Sequence, residues 1–288
     1  MDISDNELIA QAAEHIAQAD ALLITAGAGM GVDSGLPDFR SKEGFWKAYP
    51  PMRSLQLSLM QMANPQQFRR TPTLAWGFYG HRLMLYRRTT PHQGFTNLLR
   101  WARTKSLGYF VFTSNVDGQF QKAGFDTMRL TECHGSIHHL QCTVPCTQEI
   151  WSADAVELTV DATTLRAQAP LPSCPHCGGL ARPNILLFQD GEWLGQRSLQ
   201  QYDRLDTWLD QIASQSGRLA IIELGAGQAI PTVRHFSEQQ ARRYRAALIR
   251  INPRDARIPP PKDRNFALQW PAIEALNRLD QALTDRGN

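Results

Sequence analysis

Four of the five cysteines in this 288-residue chain fall in two close pairs, Cys142 with Cys146 and Cys174 with Cys177. Each pair on a tight turn supplies half of a tetrahedral thiolate set. Four thiolates leave no position for a reacting water, so the expected metal is a structural zinc ion. Such a site stabilises a small module by on the order of 10 kcal/mol. The alternative is four unrelated buried cysteines. His138, His139 and His176 lie close enough in sequence to replace a ligand, but the quartet needs none of them. An odd cysteine count in close pairs favours metal over disulfides in a cytoplasmic protein.

His134 is the candidate catalytic group. It sits in Glu132-Cys133-His134-Gly135-Ser136, at the end of a short apolar segment over residues 128–131. Imidazole titrates near neutrality and suits general-base work, although a lone histidine is often a satisfied structural residue. Neighbouring residues on a strand point to opposite faces, so Cys133 should not meet His134 and no cysteine nucleophile is expected. A second polar turn, Ser114-Asn115-Val116-Asp117-Gly118, follows the apolar run 109–113. Asn115 and Asp117 alternate onto one face, where they can hold sugar hydroxyls or a water. For Asp117 alone, stabilising the turn is the default role. A third turn, Gly27-Ala28-Gly29, follows the apolar run 21–25 and has the character of a pyrophosphate cradle. A dinucleotide fingerprint would place a further glycine at Val32 and continue the helix, whereas Pro37 interrupts it. The loop therefore breaks out to carry Asp38, Phe39 and Arg40 over the ligand, and a hydride-transfer dehydrogenase is the least expected reading.

The elements that position these turns follow from periodicity. Ser4 and Glu7 form a capping box for a helix whose apolar face is Leu8, Ala12 and Ile16. Apolar runs at 21–25, 109–113, 128–131, 219–224 and 246–251 each end in a polar or glycine-containing turn. In parallel α/β sheets that is the edge where ligands sit. Residues 46–104, rich in Met, Gln, Arg and aromatics, have a helical pattern broken at Pro50, Pro51, Pro65, Pro72 and Pro91. The tail over 271–283 predicts a closing helix. These runs predict an α/β fold with a parallel sheet, a helical insertion over 46–104 and a separate small cysteine-bearing module over 141–180. Hydrophobic residues at 42% and charged at 20% fit an ordinary globular protein. A net charge of +3 is too small to imply nucleic acid. No signal-like start or apolar run of membrane-spanning length is present, so no membrane partner and a cytoplasmic location are expected.

Taken together, these stretches resemble the sirtuin family of NAD-dependent protein deacylases, in a divergent bacterial-type member. The matching residues are Gly27-Ala28-Gly29 with Ser34-Gly35-Leu36-Pro37-Asp38-Phe39-Arg40-Ser41; Thr113-Ser114-Asn115-Val116-Asp117 with Ala123-Gly124; His134-Gly135-Ser136; the two cysteine pairs; and Asn252. They occur in family order over nearly the whole chain. The resemblance implies a Rossmann-like parallel sheet with a smaller inserted zinc-binding and helical domain: residues 1–45, 105–140 and 181–288 would form the large domain, 46–104 the helical part of the small one and 141–180 its zinc module. NAD and an acylated lysine would meet in the cleft between them. The acyl oxygen attacks the nicotinamide ribose, nicotinamide leaves, and a histidine deprotonates a ribose hydroxyl, giving free lysine and O-acyl-ADP-ribose. Position by position, His134 would be the base and Asn115 would orient ribose and water. Asp117 would hold the nicotinamide amide, and Phe39 and Arg40 would shield and grip the cofactor. Further cofactor contacts are implied at Gly27, Ala28, Gly29, Asp38, Ser114, Gly225, Ala226, Gly227, Asn252 and Ala272. Substrate contacts are implied at Leu187 and Phe188.

The chain departs from the family pattern at Gly31 (usually serine), Ser114 (usually glutamine), Gln189-Asp190 (usually glycine-glutamate) and Ala226-Gly227 (usually threonine-serine). Gln189 stands where it can narrow or remodel the lysine channel. These departures motivate a second reading on the same fold, an ADP-ribosyltransferase or NAD hydrolase. A non-catalytic NAD sensor is a third, opposed by the retained His134, Asn115 and Asp117. Tyr79 and Arg82, three apart and on one helical face, are similar to the pair that some sirtuins use to hold acidic acyl groups. A guanidinium and a phenol bind a carboxylate together.

Overall fold

The computed structural model describes residues 4–37, 42–261 and 263–286. Nine strands are present among them: β1 (Ala21–Ala26), β2 (Tyr109–Thr113), β3 (Leu130–Glu132), β4 (Gly135–Cys142), β5 (Trp151–Ser152), β6 (Ala181–Ile185), β7 (Leu219–Leu224), β8 (Ala247–Ile251) and β9 (Asn265–Leu268). Six form a sheet in the order β3-β2-β1-β7-β8-β9, with every pairing parallel. The chain moves outward from β1 in one direction and later returns to lay β7 on its other side. This reversal opens a crevice at the carboxyl ends of β1 and β7, the place where such sheets bind ligands.

Both faces of the sheet are covered, which explains why its strands read as continuous apolar runs. Leu22 and Ile24 point into one core with the helices Asp5–Gln18, Gln93–Arg103 and Ala272–Asp285. Ala21 and Leu23 point into the other, against Gln196–Ser214 and Thr232–Tyr244. The first helix begins as its sequence predicts, with the Ser4 hydroxyl and the Glu7 carboxylate exchanging hydrogen bonds with each other's backbone. The last helix has Pro271 as its N-cap and receives its capping carboxylate from elsewhere: the Ile273 N–H donates to Asp33 Oδ2.

A second, three-stranded antiparallel sheet, β5-β4-β6, carries the cysteine-bearing residues 142–177. A third core joins it to the helical stretch before β2, with Phe45, Trp76, Phe78 and Tyr79 packed against Ile137, Leu140, Ala181 and Ile185. The prolines of that stretch open helices as much as they break them. Pro50 and Pro72 are first helical residues, where a missing N–H costs nothing.

Two boundaries differ from the periodicity. Residues 128–131 are not all strand: the Asp126 side chain caps Met128, and Thr127–Arg129 forms a 3-10 turn before the short β3. The strand β9 follows a proline-rich turn and is too short to leave a periodic signal.

Candidate functional site

The crevice opens into a cavity of about 530 Å3. The turns after β1, β2, β3, β6 and β7 all contribute to its wall, through Gly27 and Ala28; Ser114 to Asp117; His134; Leu186 to Phe188; and Gly225 to Ile230. Leu59, Ala63 and the residues Tyr79, Arg82 and Tyr86 of one long helix also line it.

The glycines act chiefly on each other. A Cβ on Gly27 would lie 2.9 Å from the Ala226 Cα, and one on Gly225, at φ +59°, would lie 2.4 Å from Gly29. The Gly29 N–H donates to Gly225 O at 3.0 Å. The β1 and β7 turns thus pack back to back, leaving Gly27 and Ala28 at the cavity while Gly29 supports Gly225 from behind. Gly31 is likewise off the wall, covered by Leu36, whose Cδ1 would stand 2.8 Å from an added Cβ. Asp38, Phe39 and Arg40 lie outside the described residues.

The β2 turn is tied to the β1 turn. Thr113 Oγ1 donates to Ala26 O and accepts from the Asn115 N–H, each at 3.0 Å, and Asn115 Nδ2 donates to Gly27 O at 3.0 Å. Asp117 is buried, and Oδ1 accepts the Gln119 N–H. Burial, with a smaller contribution from the Glu132 carboxylate, pushes its carboxyl up to about 6.

His134 lies in the two-residue turn between β3 and β4 rather than on a strand. Its separation from Cys133 nevertheless holds. Cys133 enters the core beside Phe112, where burial pushes its thiol up to about 12 and removes its nucleophilicity. His134 faces the cavity, and burial lowers it below the usual imidazole range, opposed by a hydrogen bond to the Ser114 backbone. It is therefore neutral at physiological pH, with one nitrogen occupied and the other carrying a lone pair. Gly135 makes the turn possible: φ is +78°, and a Cβ there would lie 2.1 Å from Asn184 O.

At the inner wall, the Arg82 guanidinium donates to Tyr86 Oη from Nε at 3.0 Å and Nη2 at 2.8 Å, and its Cζ stands 5.7 Å from the Tyr79 ring centroid. Tyr79 Oη is buried with no hydrogen-bond partner among the described residues. At the mouth, the Phe188 N–H donates to Ala63 O at 2.9 Å. Gln189 is not in the cavity wall. Its backbone turns left-handed at φ +58°, and its side chain accepts from Asn64 Nδ2, outside the cavity wall. Asp190 turns inward to a fully buried bidentate pair with Arg182.

Besides Gly29, two further expected cofactor positions are not in the cavity wall. Ala272 is core, on the helix capped by Asp33. Asn252 is a brace beneath it: Nδ2 donates to Ala226 O at 2.9 Å, while Oδ1 accepts the N–H groups of Arg254 and Asp255. Arg234 supports the same two segments through Ala226 O and Asp255 O. Asp255, Ile230 and Tyr86 line the cavity and were missed from sequence. Asp255 and Ile230 follow strand ends by several residues, beyond the turn that periodicity marks, and Tyr86 lies one helical turn beyond the Arg82 pattern.

The four cysteine sulfurs converge. All lie within 4.8 Å of one another, with Cys142 Sγ 3.7 Å from Cys177 Sγ and Cys146 Sγ 3.6 Å from Cys174 Sγ. Zn–S bonds of about 2.3 Å in a tetrahedron put sulfurs about 3.8 Å apart, so the quartet fits one structural zinc ion. The three-residue gap before Cys146 is no obstacle.

A model of the Sir2 family matches residues 27–211. NAD-dependent protein deacylase 1 of Archaeoglobus fulgidus is 28% identical over 271 residues, covering 92% of this chain and 93% of that protein. The NAD-dependent protein deacylase of Thermococcus sibiricus is 30% identical over 203 residues, 69% of this chain and 71% of that protein. A crystal structure of a Sir2 homologue–NAD complex superimposes with a TM-score of 0.68 at 23% identity, covering 99% of this chain and 96% of that one, which establishes the fold.

Proposed function

This chain belongs to the Sir2 family, and from that premise we propose that it is an NAD-dependent protein lysine deacylase acting on an acyl-lysine of a protein or peptide. The observation that carries the reading is the single cavity in which His134, Asn115 and Asp117 share a wall with the paired glycine turns. NAD, as co-substrate, supplies an activated ribose carbon with nicotinamide as leaving group, and the products are nicotinamide, O-acyl-ADP-ribose and free lysine. We assign the backbone of Gly27, Ala28 and Gly225 to Gly227 to the pyrophosphate, which approaches closely where no side chain intervenes. Asn115, fixed by Gly27 O, orients the ribose. The free nitrogen of His134 takes a proton from a ribose hydroxyl, and the Asp117 carboxyl accepts the nicotinamide amide N–H. Leu187 and Phe188 flank the acyl-lysine.

The inner wall favours an acidic acyl group. A succinyl or malonyl carboxylate reaching Arg82 would also accept from Tyr79 Oη, which has no partner among the described residues, whereas an acetyl group would leave that hydroxyl buried and unsatisfied. The test is a panel of acetyl-, malonyl- and succinyl-lysine peptides with NAD, read by mass spectrometry for peptide and nucleotide products. Succinyl or malonyl peptides should be preferred. Arg82→Met should lower kcat/KM for them by about 100-fold, the loss of a charge-assisted pair, with little effect on acetyl peptide. Equal turnover of all three, indifferent to Arg82→Met, defeats the acyl assignment. Free ADP-ribose formed equally fast without peptide would instead make the protein an NAD hydrolase.

A further inference from the structure

The functional assignments leave His138 unused, yet it grips the loop that carries Asp117. β4 pairs with β6 through Gly135 and Ser136 and again from Leu140 to Cys142, with a register shift between. The intervening Ile137, His138 and His139 bulge out of the ladder with β6, while His139 stays paired with Ser152 of β5. Bulges re-aim side chains and recur beside active sites, and this one reaches the β2 turn at three consecutive residues. The Ile137 N–H donates to Val116 O at 3.0 Å. His138 Nε2 lies 3.0 Å from Asp117 O; a carbonyl only accepts, so this nitrogen carries the proton. The His138 ring then covers Gly118, where φ is +71° and a Cβ would fall 2.7 Å from His138 Cδ2. Asp117 Oδ1 points onward to the Gln119 N–H, so the aim of the carboxyl group follows the backbone that the bulge holds.

We propose that His138 is a positioning residue: its Nε2–H fixes the Asp117 carbonyl, and through it the direction in which the Asp117 carboxyl faces the nicotinamide end of the cavity. The inference rests on the assignment of Asp117 to the nicotinamide amide. It also ties the cysteine-bearing sheet to the reaction, because His138 and Cys142 lie on the same strand.

Two variants separate positioning from packing. His138→Phe keeps a ring over Gly118 and removes the donor; His138→Gln presents an amide N–H at nearly the same reach. Steady-state constants for NAD, for acyl-peptide and for inhibition by nicotinamide are measured alongside Tm. His138→Phe should raise the NAD KM and the nicotinamide inhibition constant about five- to tenfold, the loss of one hydrogen bond. The peptide KM should stay within about twofold and Tm within about 3 °C. His138→Gln should restore both nicotinamide-linked constants. If the phenylalanine variant does not fold, His138→Asn, too short to reach Asp117 O, takes its place. Unchanged nicotinamide inhibition, a parallel loss in every constant and Tm, or a glutamine variant no better than the donor-free one would overturn the proposal. A wild-type protein that consumes no NAD with any acyl-peptide overturns the deacylase reading with it. An active wild type indifferent to residue 138 overturns this proposal alone.

Discussion

Asp117 and His134 face one cavity, and burial acts on both by disfavouring the charged form. For the acid that means a rise to about 6; for the base it means a fall. Carboxylate and neutral imidazole therefore coexist only above about pH 6, and kcat/KM for NAD should drop as pH falls through that value. The stability consequence runs the other way. A folded-state value raised from 3.8 to about 6 favours the folded protein fully below 3.8, and that contribution is lost as pH rises through about 6. Asp117→Asn can still accept from the Gln119 N–H but carries no charge. It should be about 3 kcal/mol more stable than wild type at pH 8, with the difference largely gone near pH 4, while its activity falls and loses the inflection near 6. Urea denaturation at the two pH values, with NAD kinetics across the range, checks both halves. Both residue positions were legible from sequence because each follows an apolar run directly. Their protonation was not, since it depends on burial by segments distant in the chain.

The helix Pro72–Arg88 shows how an element can carry a site through its packing. Its Tyr79 and Arg82 face the cavity while Trp76 Nε1 donates to Ala181 O at 2.9 Å. At Gly77 it approaches the loop between β5 and β6 so closely that a Cβ would lie 1.9 Å from Leu165 O, a backbone atom that cannot rotate away. Gly77→Ala should cost about 3 kcal/mol and weaken acyl-peptide binding while NAD binding changes little; thermal unfolding and calorimetric titration of each ligand measure this. The sequence shows this helix as aromatic and basic with poor amphipathicity. That ambiguity has a physical cause: Leu74 through Gly80 are all buried, so there is no polar face to reveal the period.

At the scale of the whole molecule, the six-stranded sheet has apolar cores on both faces, whereas the three-stranded sheet and the helices around Tyr79 share the third. Zinc removal should therefore act on the acyl end of the cavity first. Chelation, or Cys146→Ser, should lower bound zinc below one per chain and abolish acyl-peptide turnover. Amide exchange should rise in residues 72–88 and 135–185 while the β1, β7 and β8 amides stay protected. Uniform loss of protection would mean that the two parts unfold as one.

The sequence by itself determined the fold class, the zinc quartet and the family, because strand periodicity, thiol spacing and ordered turn motifs are local signals. It also marked His134, Asn115 and Asp117, each one to four residues past a strand. Only the tertiary structure decided which marked residues reach the cavity. Gly29 and Gly31 were displaced by close packing, Asn252 became a brace, and Gln189 turned out toward Asn64. The outcomes at Gly29 and Gln189 depend on loops that meet across more than a hundred residues of chain. The grip of His138 on the Asp117 carbonyl arises from a bulge, which exists only when two strands are paired.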